Sequence, residues 1–399
     1  MQNKGVAITG IGIISSIGKN VEENLTSLLQ EKDGITRLEN INTRHVNDIK
    51  VGEIKRSNAE LTKELLLPEE IRFSRTTLLG GIAAKEAVKS AKIKNINAYK
   101  TGFISSTSVG GMDMTEKYCN SFFEKKENEK YLNSHNAAES TKEIAGIIGV
   151  EDFVTTISTA CSSATNAIML GARLIKAKKM DRVIVGGTDC LSKFTINGFK
   201  TLMILSDEKC HPFDNNRKGL NLGEAAAYLV LESEAVIQKE NKEVLAYISG
   251  YANANDAHHQ TASSENGEGA FLAMQKAIKT ANLKPSDIDY INAHGTATPN
   301  NDASESVALQ RIFNTEVPDF SSTKGFTGHT LAAAGAIEAV FSILAIQNNV
   351  LFANLNFQKE MEKTKLIPVT KTSKKQVKTV LSNSFGFGGN CSTLIFSKV

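Results

Sequence analysis

Short β-branched runs alternate with longer helical patterns along the whole chain, and this alternation constrains the fold more than any other feature. In the first part the strand-like runs are bounded by glycine: GVAITGI, KTGFISSTS, DFVTTIST, DRVIVGGTD and AAYLVLES. Helical patterns such as RTTLLGGIAAKEAVKSAKI and SATNAIMLGARLIKAKK separate them. Because strands that alternate with helices form buried sheets covered by those helices, the pattern predicts an α/β architecture.

The second half of the chain repeats this style. Strand patterns and helical patterns alternate through EVLAYISGYAN, GAFLAMQKAIKTANL, PSDIDYINAHG, LAAAGAIEAVFSILAIQ, KTVLSNSFG and CSTLIFS. A length of 399 residues fits two domains or one large duplicated domain. We therefore predict two related α/β halves, residues 1–240 and 241–399, with the charged stretch 232–251 between them.

Composition argues against several classes of protein. The net charge is +3, with acidic and basic residues well mixed, so the strongly basic face of a nucleic-acid binder is not expected. The cysteine count is odd and no CxxC motif occurs, which argues against a disulfide framework or a metal site and favours a reducing cytoplasm. The five cysteines are Cys119, Cys161, Cys190, Cys210 and Cys391.

Two apolar stretches resemble targeting or membrane segments only in composition. The N-terminal MQNKGVAITGIGIISSIG is broken by glycines and is typical of a first strand and a turn rather than a signal peptide. The stretch LAAAGAIEAVFSILAIQ carries Glu338 within it, which predicts a buried helix and no membrane span. We expect a cytoplasmic protein.

Cys161 stands in TISTACSSATN, where a strand pattern gives way to a helical one. The helix has an apolar face at Ala164, Ile168, Ala172 and Ile175. A sulfur at this turn would face the positive end of the helix and its free N–H groups, and both favour the thiolate. Two interpretations stay open at this point: a nucleophile, or a small buried side chain of the core.

Two histidines lie in loops that follow strand patterns. His294 enters a loop of small and hydroxyl residues in YINAHGTATPNNDASE, which suits a pocket wall or a structural histidine equally. In SSTKGFTGHTLAAAGAIE, His329 follows Lys324 across a glycine-containing turn and begins a helix, where neutral imidazole is favoured. Because a lone buried carboxylate is costly, we expect Glu338 on that helix to pair with Lys324.

The segment NSFGFGGNCS interleaves four glycines with Phe385 and Phe387. Glycines let backbone N–H groups approach a ligand closely, and a neighbouring aromatic ring can shield that ligand. An ordinary glycine turn between two strands has the same composition, so the segment alone does not separate the two interpretations.

Together these motifs resemble those of the elongating β-ketoacyl-acyl-carrier-protein synthases, in the thiolase-like superfamily. The resemblance implies a thiolase-like fold, with duplicated α/β halves in a layered αβαβα architecture, and an acyltransferase that forms carbon–carbon bonds. It covers nearly the whole chain in the family's order, through VAITGIGIISSIG, TSVGGMD, STACSSATNAI, VIVGGTD, HPFDNNRKGLNLGEAAAYLVLE, NAHGTATPNNDASE, SSTKGFTGH, AAAGAIEA and NSFGFGG.

The resemblance implies four catalytic side chains. Cys161 would accept an acyl group from a carrier-protein or CoA thioester. His294 and His329 would stabilise the enolate that forms when a malonyl thioester loses CO₂. Lys324 would order the site and hold Glu338, without acting as a nucleophile.

The family also implies a backbone site and a gate. The N–H groups of Cys161 and Phe387 would form the oxyanion hole, and Phe387 would be the gate between half-reactions, with Phe385 beside it. Thr296 and Thr298 match positions that contact the pantetheine arm.

Five further residues are implied at the edges of the site. Val109 and Phe199 match the acyl pocket, where side-chain size can limit the chain accepted. Lys63, Arg72 and Arg75 are candidates for docking an acidic carrier protein, although a solvated helix face would have the same composition.

Two segments depart from the family pattern. The run from Lys200 to Met203 stands where the family often has small residues and an arginine, so a carrier-protein contact is not carried over there. Cys391 follows GFGGN where GFGGTN is commoner; the acid/base role of a second cysteine in thiolases belongs to a different motif.

The resemblance leaves the pathway open between fatty acid synthesis and a specialised polyene or polyketide pathway. Two other classes are a non-catalytic chain-length-factor subunit and a degradative thiolase; the retained cysteine, histidines and lysine argue against both. The implied partners are an acyl carrier protein and either a second copy or a related ketosynthase-like subunit. No cofactor is implied beyond the phosphopantetheine that carries the substrates.

Overall fold

The computed structural model describes residues 5–68, 73–122 and 129–399, and within these it contains fifteen strands. They are β1 (Val6–Ser15), β2 (Ile35–Arg37), β3 (Lys50–Gly52), β4 (Thr101–Ser106), β5 (Phe153–Ile157), β6 (Arg182–Asp189), β7 (Leu222–Gly223), β8 (Ala225–Glu232), β9 (Ala246–Asn255), β10 (Tyr290–Asn292), β11 (Asp319–Ser321), β12 (Val350–Leu351), β13 (Ser373–Lys374), β14 (Thr379–Gly386) and β15 (Asn390–Ser397).

The helices fall between these strands as the alternating pattern predicts. They are α1 (Val21–Leu29), α2 (Asn58–Leu65), α3 (Arg75–Ser90), α4 (Met112–Phe122), α5 (Glu129–Leu132), α6 (Ala137–Ile148), α7 (Ser163–Lys176), α8 (Lys193–Thr201), α9 (Glu234–Glu240), α10 (Glu268–Ala281), α11 (Pro299–Phe313), α12 (Lys324–Thr327) and α13 (Ala334–Asn348).

The largest sheet is built from two five-stranded halves with the same topology. Its strand order is β11-β10-β14-β15-β9-β1-β8-β6-β4-β5. In the first half, β1 pairs antiparallel with β8, β8 antiparallel with β6, and β4 parallel with both β6 and β5. In the second half, β9, β15, β14, β10 and β11 repeat this sequence of pairings. The repeated topology confirms the predicted duplicated α/β fold.

Side chains alternate between the two faces of each strand, and the buried ones belong to three main hydrophobic cores. On β8, Leu229 and Leu231 face a central core that also contains α7 and α13, whereas Tyr228 and Val230 face a second core beneath α3. A third core lies between the second half of the sheet and α10 and α11. Because successive strand residues point to opposite faces, each half is covered by helices on both sides. The layers therefore follow the order αβαβα.

Helix α13 lies in the central layer and is buried from Ala334 to Ile346. Among the described residues, Leu331–Asn348 is long and apolar enough to cross a membrane, but 89% of it is buried inside the protein. A helix that is apolar on every side must be covered on every side, and here the two halves of the sheet cover it. The predicted buried helix is confirmed.

Strand β5 ends the sheet in the first half, and its free edge has no partner strand within the described residues. All five of its residues are half-buried, whereas its neighbour β4 is buried throughout. The chain continues from β5 through a tight turn into α7, so this edge strand delivers residue 161 to the centre of the molecule.

Candidate active site

Cys161 lies in the turn between β5 and α7, as its sequence context predicts. The turn is held by the Ser163 hydroxyl, which donates to the Ala160 carbonyl at 2.5 Å and accepts from the Thr159 N–H at 2.8 Å. Ala160 has a φ of +51°, in the left-handed region that non-glycine residues rarely adopt. The sharp turn places the thiol at the helix N-terminus, and Cys161 is only 6% exposed.

Burial changes the expected ionisation of Cys161. It raises the pKa of the thiol to about 11, although Lys324 and the backbone N–H groups of Phe387 and of Cys161 itself act to lower it. The helix-end effect favours the thiolate, but the lost hydration of a buried anion outweighs it. Burial, which the sequence context does not reveal, therefore opposes the two effects predicted for Cys161.

The rings of His294 and His329 lie edge to face with their centroids 5.4 Å apart. Lys324 Nζ is 3.3 Å from Nδ1 of His294, and the Leu331 N–H donates to Nδ1 of His329 at 3.2 Å. An ammonium group and a backbone N–H can only donate, so Nδ1 is the acceptor in each ring and Nε2 carries the proton of the neutral imidazole. The site therefore holds two Nε2–H donors.

Both imidazoles are neutral over the ordinary pH range. Burial and the charge of Lys324 hold the pKa of His294 and of His329 well below its usual range, with the neighbouring ring adding to the effect at His294. The neutral state expected for His329 is confirmed, but its cause differs from the predicted one. Helix α13 begins only at Ala334, after a 3-10 turn, so burial rather than a helix end dominates.

Lys324 and Glu338 form a buried ion pair, as predicted. Burial raises the pKa of the Glu338 carboxyl to about 7, with Lys324 opposing the shift. The same ammonium group contacts His294, so Lys324 joins α13 to the His294 loop. A buried cation held between an acceptor nitrogen and a carboxylate fixes the tautomer of the histidine.

The glycine-rich segment forms a loop beside the cysteine, residues 386–390, called the gate loop after the role that the resemblance implies for Phe387. Phe387 begins a 3-10 turn in which Gly388 and Gly389 have φ of +81° and +77°. The Phe385 ring lies 5.6 Å from the His294 ring, and Phe199 on α8 stacks on Phe387 at 6.0 Å. The fold thus brings the Phe387 N–H to the Cys161 sulfur and packs the gate ring against an aromatic wall.

One cavity of about 330 Å³ joins these groups to the surface. Both hydroxyls predicted to contact a pantetheine arm line it, with Thr296 Oγ1 2.9 Å from Thr298 Oγ1. Val109 does not line it; this side chain lies half-buried in the loop after β4, and its place in an acyl pocket stays a prediction. The predicted site residues that do line it are Cys161, Phe199, His294, Thr296, Thr298, His329, Phe385 and Phe387, together with Cys391.

Of the three predicted docking residues, the two that the structure describes do not share a surface. Lys63 is exposed on α2, and Arg72 lies outside the described residues. Arg75 is buried: its guanidinium pairs with Glu224 at 2.7 Å and donates to the Ile54 carbonyl at 2.8 Å. Docking by Arg75 is therefore wrong, because a side chain with buried partners cannot reach another protein.

Two buried carboxylates that the motifs did not single out hold the site loops. Asp189, at the end of β6, accepts the Ala332 N–H at 2.9 Å and so fixes the turn after His329. Glu305 accepts the N–H groups of His294 and Gly295 at 2.9 and 2.8 Å. Both acids stand inside the motifs VIVGGTD and NAHGTATPNNDASE. The signal in the sequence would have been an acidic residue at a position predicted to be buried, with no basic residue close to it. Such a carboxylate must accept hydrogen bonds from the backbone instead.

Asn390 was also missed, and it ties the gate loop to the nucleophile's helix. Its Oδ1 accepts from Ser162 Oγ at 2.8 Å, Asn166 Nδ2 at 3.0 Å and Asn253 Nδ2 at 2.7 Å. Ser162 is the residue after Cys161 and caps α7. The downstream end of the gate loop is therefore anchored beside the cysteine.

The arrangement combines a thiol nucleophile, two neutral N–H donors and a pair of backbone N–H groups in one partly enclosed cavity. Backbone donors at the sulfur can stabilise an oxyanion on an attacked thioester, and the imidazole donors can stabilise a second one. Among the described residues, no group of three or more His, Cys, Asp or Glu side chains is placed to hold a metal ion.

Two family models match the chain over most of its length. The model described as "Beta-ketoacyl synthase, N-terminal domain" matches residues 3–236, and "Beta-ketoacyl synthase, C-terminal domain" matches residues 245–358. Between them they contain Cys161, His294, Lys324, His329 and Glu338.

Relatives and solved structures match it from end to end. A 3-oxoacyl-[acyl-carrier-protein] synthase 2 of Staphylococcus aureus (strain N315) is 32% identical over 411 residues, covering 100% of this chain and 99% of the relative. A putative mitochondrial 3-oxoacyl-[acyl-carrier-protein] synthase of Schizosaccharomyces pombe is 34% identical, covering 99% of each.

Among solved structures, the ishigamide ketosynthase/chain length factor superimposes with a TM-score of 0.92 at 25% identity, covering 99% of both chains. A ketosynthase in complex with its chain length factor from Xenorhabdus doucetiae gives 0.85 at 28% identity, covering 100% of this chain and 99% of that one.

Proposed function

The chain belongs to the β-ketoacyl synthase family of carbon–carbon bond-forming acyltransferases, and on that premise we propose that it elongates an acyl group held on Cys161 by decarboxylative condensation with malonyl-acyl-carrier protein. The observation that carries the proposal is the convergence of the Cys161 thiol with two neutral Nε2–H donors in a single cavity. An elongating ketosynthase needs a nucleophile for the acyl group and donors for an enolate, and these side chains supply both.

The first half-reaction loads the enzyme. The Cys161 sulfur attacks the thioester carbonyl of an acyl carrier protein and forms an acyl-enzyme, while the carbonyl's bond to the phosphopantetheine sulfur breaks and that sulfur leaves as a thiol with the proton that Cys161 gave up. The N–H groups of Cys161 and Phe387 already act on the sulfur, so they are placed to stabilise the oxyanion of the tetrahedral intermediate. Lys324 favours ionisation of the thiol through its charge while remaining paired with Glu338.

The second half-reaction forms the new bond. Malonyl thioester enters the cavity and loses CO₂, and the resulting enolate carbon attacks the acyl carbonyl on Cys161. The bond from that carbonyl to the Cys161 sulfur breaks, which frees the cysteine and leaves the β-ketoacyl product on the carrier protein. The Nε2–H groups of His294 and His329 donate to the enolate oxygen. Because both rings are neutral, they stabilise the enolate oxygen without offering the acidic proton of an imidazolium to its carbon.

The remaining residues serve the substrate arm and the gate. Thr296 and Thr298 contact the phosphopantetheine arm, which brings the thioester to Cys161; no other cofactor takes part in the proposal. Phe387 separates the two half-reactions, with Phe385 beside it and Phe199 as the wall of the acyl pocket. The ring contacts of Phe387 with Phe199 and of Phe385 with His294 support these roles, as does the cavity that all of these side chains line.

We assign the condensation to fatty acid synthesis, on the names of the relatives that match the full chain. A second candidate is a polyene or polyketide pathway, favoured by the TM-score of 0.92 to the ishigamide ketosynthase/chain length factor. A non-catalytic chain-length-factor role and a degradative thiolase are disfavoured by the two neutral histidines around a buried cysteine.

The proposed partners are an acyl carrier protein and a second subunit on the free edge of β5. The edge of this half-buried strand presents unpaired N–H and C=O groups, with which a strand of another chain can pair. The second subunit is a copy of this chain, or a related ketosynthase-like chain as in the complex from Xenorhabdus doucetiae. All five cysteines are free, which supports the proposed cytoplasmic location.

Mass spectrometry of the intact protein tests the proposal. Incubation with a panel of saturated and polyunsaturated acyl-carrier proteins should add one acyl mass to Cys161, and malonyl-carrier protein should then release a product two carbons longer. A Cys161→Ala variant should gain no acyl mass. Failure of every donor to acylate the wild-type cysteine would overturn the proposal.

The histidines separate the two half-reactions in the same assay. His294→Ala and His329→Ala should still be acylated but should slow condensation about a hundredfold or more, because each removes a donor to the enolate. The panel also decides the pathway: preference for polyunsaturated acyl groups would favour the second candidate over fatty acid synthesis.

A further inference from the structure

The motif HPFDNNRKGL, residues 211–220, contributes no side chain to the proposed reaction, yet its arginine contacts the loop that carries Thr298. The Nε–H of Arg217 donates to the Thr298 carbonyl at 3.3 Å, and its Nη2 donates to the Pro299 carbonyl at 2.6 Å. Its Nη1 donates to the Asp214 carbonyl at 2.8 Å. One guanidinium group therefore joins this motif to a residue whose hydroxyl lines the active-site cavity.

The threonine loop, residues 295–298, has a backbone that its surroundings must hold in place. Gly295 has a φ of +34° and Ala297 a φ of +67°, and this left-handed region is unfavourable for alanine. Asp302 holds the centre of the loop, because its two oxygens each accept the Ala297 N–H at 3.1 Å. The centre is thus fixed by the helix that follows, whereas the downstream end is fixed by Arg217 from a distant segment.

Arg217 itself stands on a well-anchored turn. The Asp214 carboxylate accepts the N–H groups of Asn216, Gln358 and Lys359 at 2.7, 2.5 and 2.7 Å. Asp214 is buried and Arg217 is half-buried. A planar guanidinium presents its donors in a fixed arrangement and can hold several carbonyls at once, whereas the ammonium of a lysine is a single point on a flexible stem. The downstream end of the threonine loop is therefore held against a fixed support.

The two hydroxyls of the threonine loop form a pair. Thr296 Oγ1 lies 2.9 Å from Thr298 Oγ1, and the Thr298 N–H donates to Thr296 Oγ1 at 3.3 Å. One O–H is used between the two side chains, which leaves the other O–H and the remaining lone pairs for a ligand in the cavity that both residues line. The direction of these groups depends on the backbone at Thr298, where Arg217 acts.

We propose that Arg217 is a positioning residue for the substrate arm, because it holds the Thr298 backbone so that the paired hydroxyls meet the amide groups of pantetheine. The inference rests on the proposed function, in which these hydroxyls contact the arm. Arg217 does not line the cavity, so it acts through the threonine loop. An arginine that only joined two segments would affect every acyl donor alike, whereas a positioning residue affects donors that carry the arm.

The test compares two acyl donors on Arg217→Met and Arg217→Lys. One donor is an acyl-pantetheine thioester, and the other is the acyl p-nitrophenyl ester, which has no pantetheine. The readout is the ratio of their second-order rate constants for acylation of Cys161, measured by mass spectrometry. We expect this ratio to fall about tenfold in Arg217→Met, the scale of losing one or two well-placed hydrogen bonds. It should fall less in Arg217→Lys, which keeps a charged donor.

A double-mutant cycle shows whether Arg217 acts through the hydroxyls. Thr296→Val and Thr298→Val together remove both hydroxyls and should lower the same ratio; Thr298 makes no side-chain capping bond to α11, so the helix should keep its start. In that background Arg217→Met should lower the ratio no further, because the groups that it positions are gone. An undiminished further loss would show that Arg217 acts by another route and would overturn the inference.

Arg311→Met is the matched control. Arg311 is also a half-buried arginine that donates to a backbone carbonyl, that of Asn266 at 2.9 Å. It stands in the last turn of α11, whereas the threonine loop precedes the first turn, and it does not line the cavity. Its ratio of rate constants should stay at the wild-type value.

Three further outcomes overturn the inference. An unchanged ratio in Arg217→Met, with the wild-type cysteine acylated by both donors, would refute the positioning role and leave the proposed function intact. A fall of both rate constants by the same factor would assign Arg217 to the stability of the whole site. If no thioester acylates the wild-type cysteine, the proposed function itself fails and the inference falls with it.

Discussion

At the scale of single residues, two opposing effects act on the pKa of the Cys161 thiol. The N–H groups at the start of α7 and of the gate loop favour the thiolate, as does Lys324, but burial raises the pKa of the thiol to about 11. Position along the chain reveals the first effect, since a turn before a helix can be recognised from its pattern. Burial comes from the two halves of the molecule closing over the turn.

The raised pKa of Cys161 predicts how its alkylation depends on pH. Only the thiolate reacts, so below the pKa the rate should rise about tenfold for each pH unit. Iodoacetamide should therefore modify Cys161 about a hundredfold faster at pH 9 than at pH 7 in the unliganded protein. Peptide mapping by mass spectrometry separates this site from the exposed Cys119. A rate that levels off below pH 8 would contradict a raised pKa.

Arg75 shows the limit of assigning a role to a residue from its charge. In the sequence it stands beside other basic residues, which suggested a docking surface. In the structure it pairs with Glu224, 149 positions away, and supplies two carbonyls and an amide oxygen with donors. Its partners come from other segments, so its burial depends on the tertiary fold.

At the scale of elements, the gate loop is held at its downstream end by Asn390. Three donors from the start of α7 and from β9 converge on one amide oxygen, and the segment between this anchor and β14 contains Gly388 and Gly389. Gly388 and Gly389 supply the positive φ angles of the turn, and the anchor fixes the residue that follows them. The loop is also tied to the segment after β9, because the Gly388 N–H donates to the Gln260 carbonyl at 2.7 Å and the Asp256 N–H donates to the Gly389 carbonyl at 2.8 Å.

Loss of the Asn390 anchor should loosen the gate. In Asn390→Ala the donors on Ser162, Asn166 and Asn253 lose their shared acceptor, so Phe387 should leave the cysteine more often. We expect the acyl-enzyme to hydrolyse several-fold faster, measured as decay of the acyl mass without malonyl donor. Asn390→Asp keeps an acceptor oxygen and should restore most of the lifetime. An unchanged lifetime in the alanine variant would show that the anchor does not control the gate.

At the scale of the whole molecule, buried carboxylates couple the active-site loops to stability. Glu305 holds the His294 loop, and burial raises the pKa of its carboxyl to about 7. Between pH 4.5 and pH 7 the unfolded chain therefore releases this proton while the folded chain keeps it. The contribution of Glu305 to the free energy of unfolding therefore falls as pH rises through this window and changes little above it.

A Glu305→Gln variant tests this coupling through the pH dependence of its stability. Between pH 5.5 and pH 7.5 the variant should lose about 2 kcal/mol less free energy of unfolding than the wild type, because one raised carboxyl has been removed. The cost of altered hydrogen bonds is the same at both pH values, so only the difference between them is read. Urea unfolding measures it, with the exposed Glu22→Gln as control. Equal pH dependence in Glu305→Gln and wild type would refute the assignment.

The sequence by itself determined the alternation of strands and helices, the duplicated style of the two halves and the turn that carries Cys161. These depend on neighbours a few positions apart, whose periodicity is written in the chain. The Lys324–Glu338 pair was also predictable. Glu338 stands in a helix predicted to be buried, a buried carboxylate needs a partner, and Lys324 lies only 14 positions before it. The motifs shared with the family then indicated roles for the cysteine, for both histidines and for Phe387 as the gate.

Only the tertiary structure decided which of these groups meet and how burial changes them. Ser162 and Asn390 are 228 positions apart, and the contact exists because α7 and β15 lie side by side between the two halves. Likewise, the placement of Arg75 inside, of Val109 outside the cavity, and of Arg217 against the threonine loop follows from how the elements pack. Hydration and pairing depend on distance in space, and local patterns along a chain do not contain that distance.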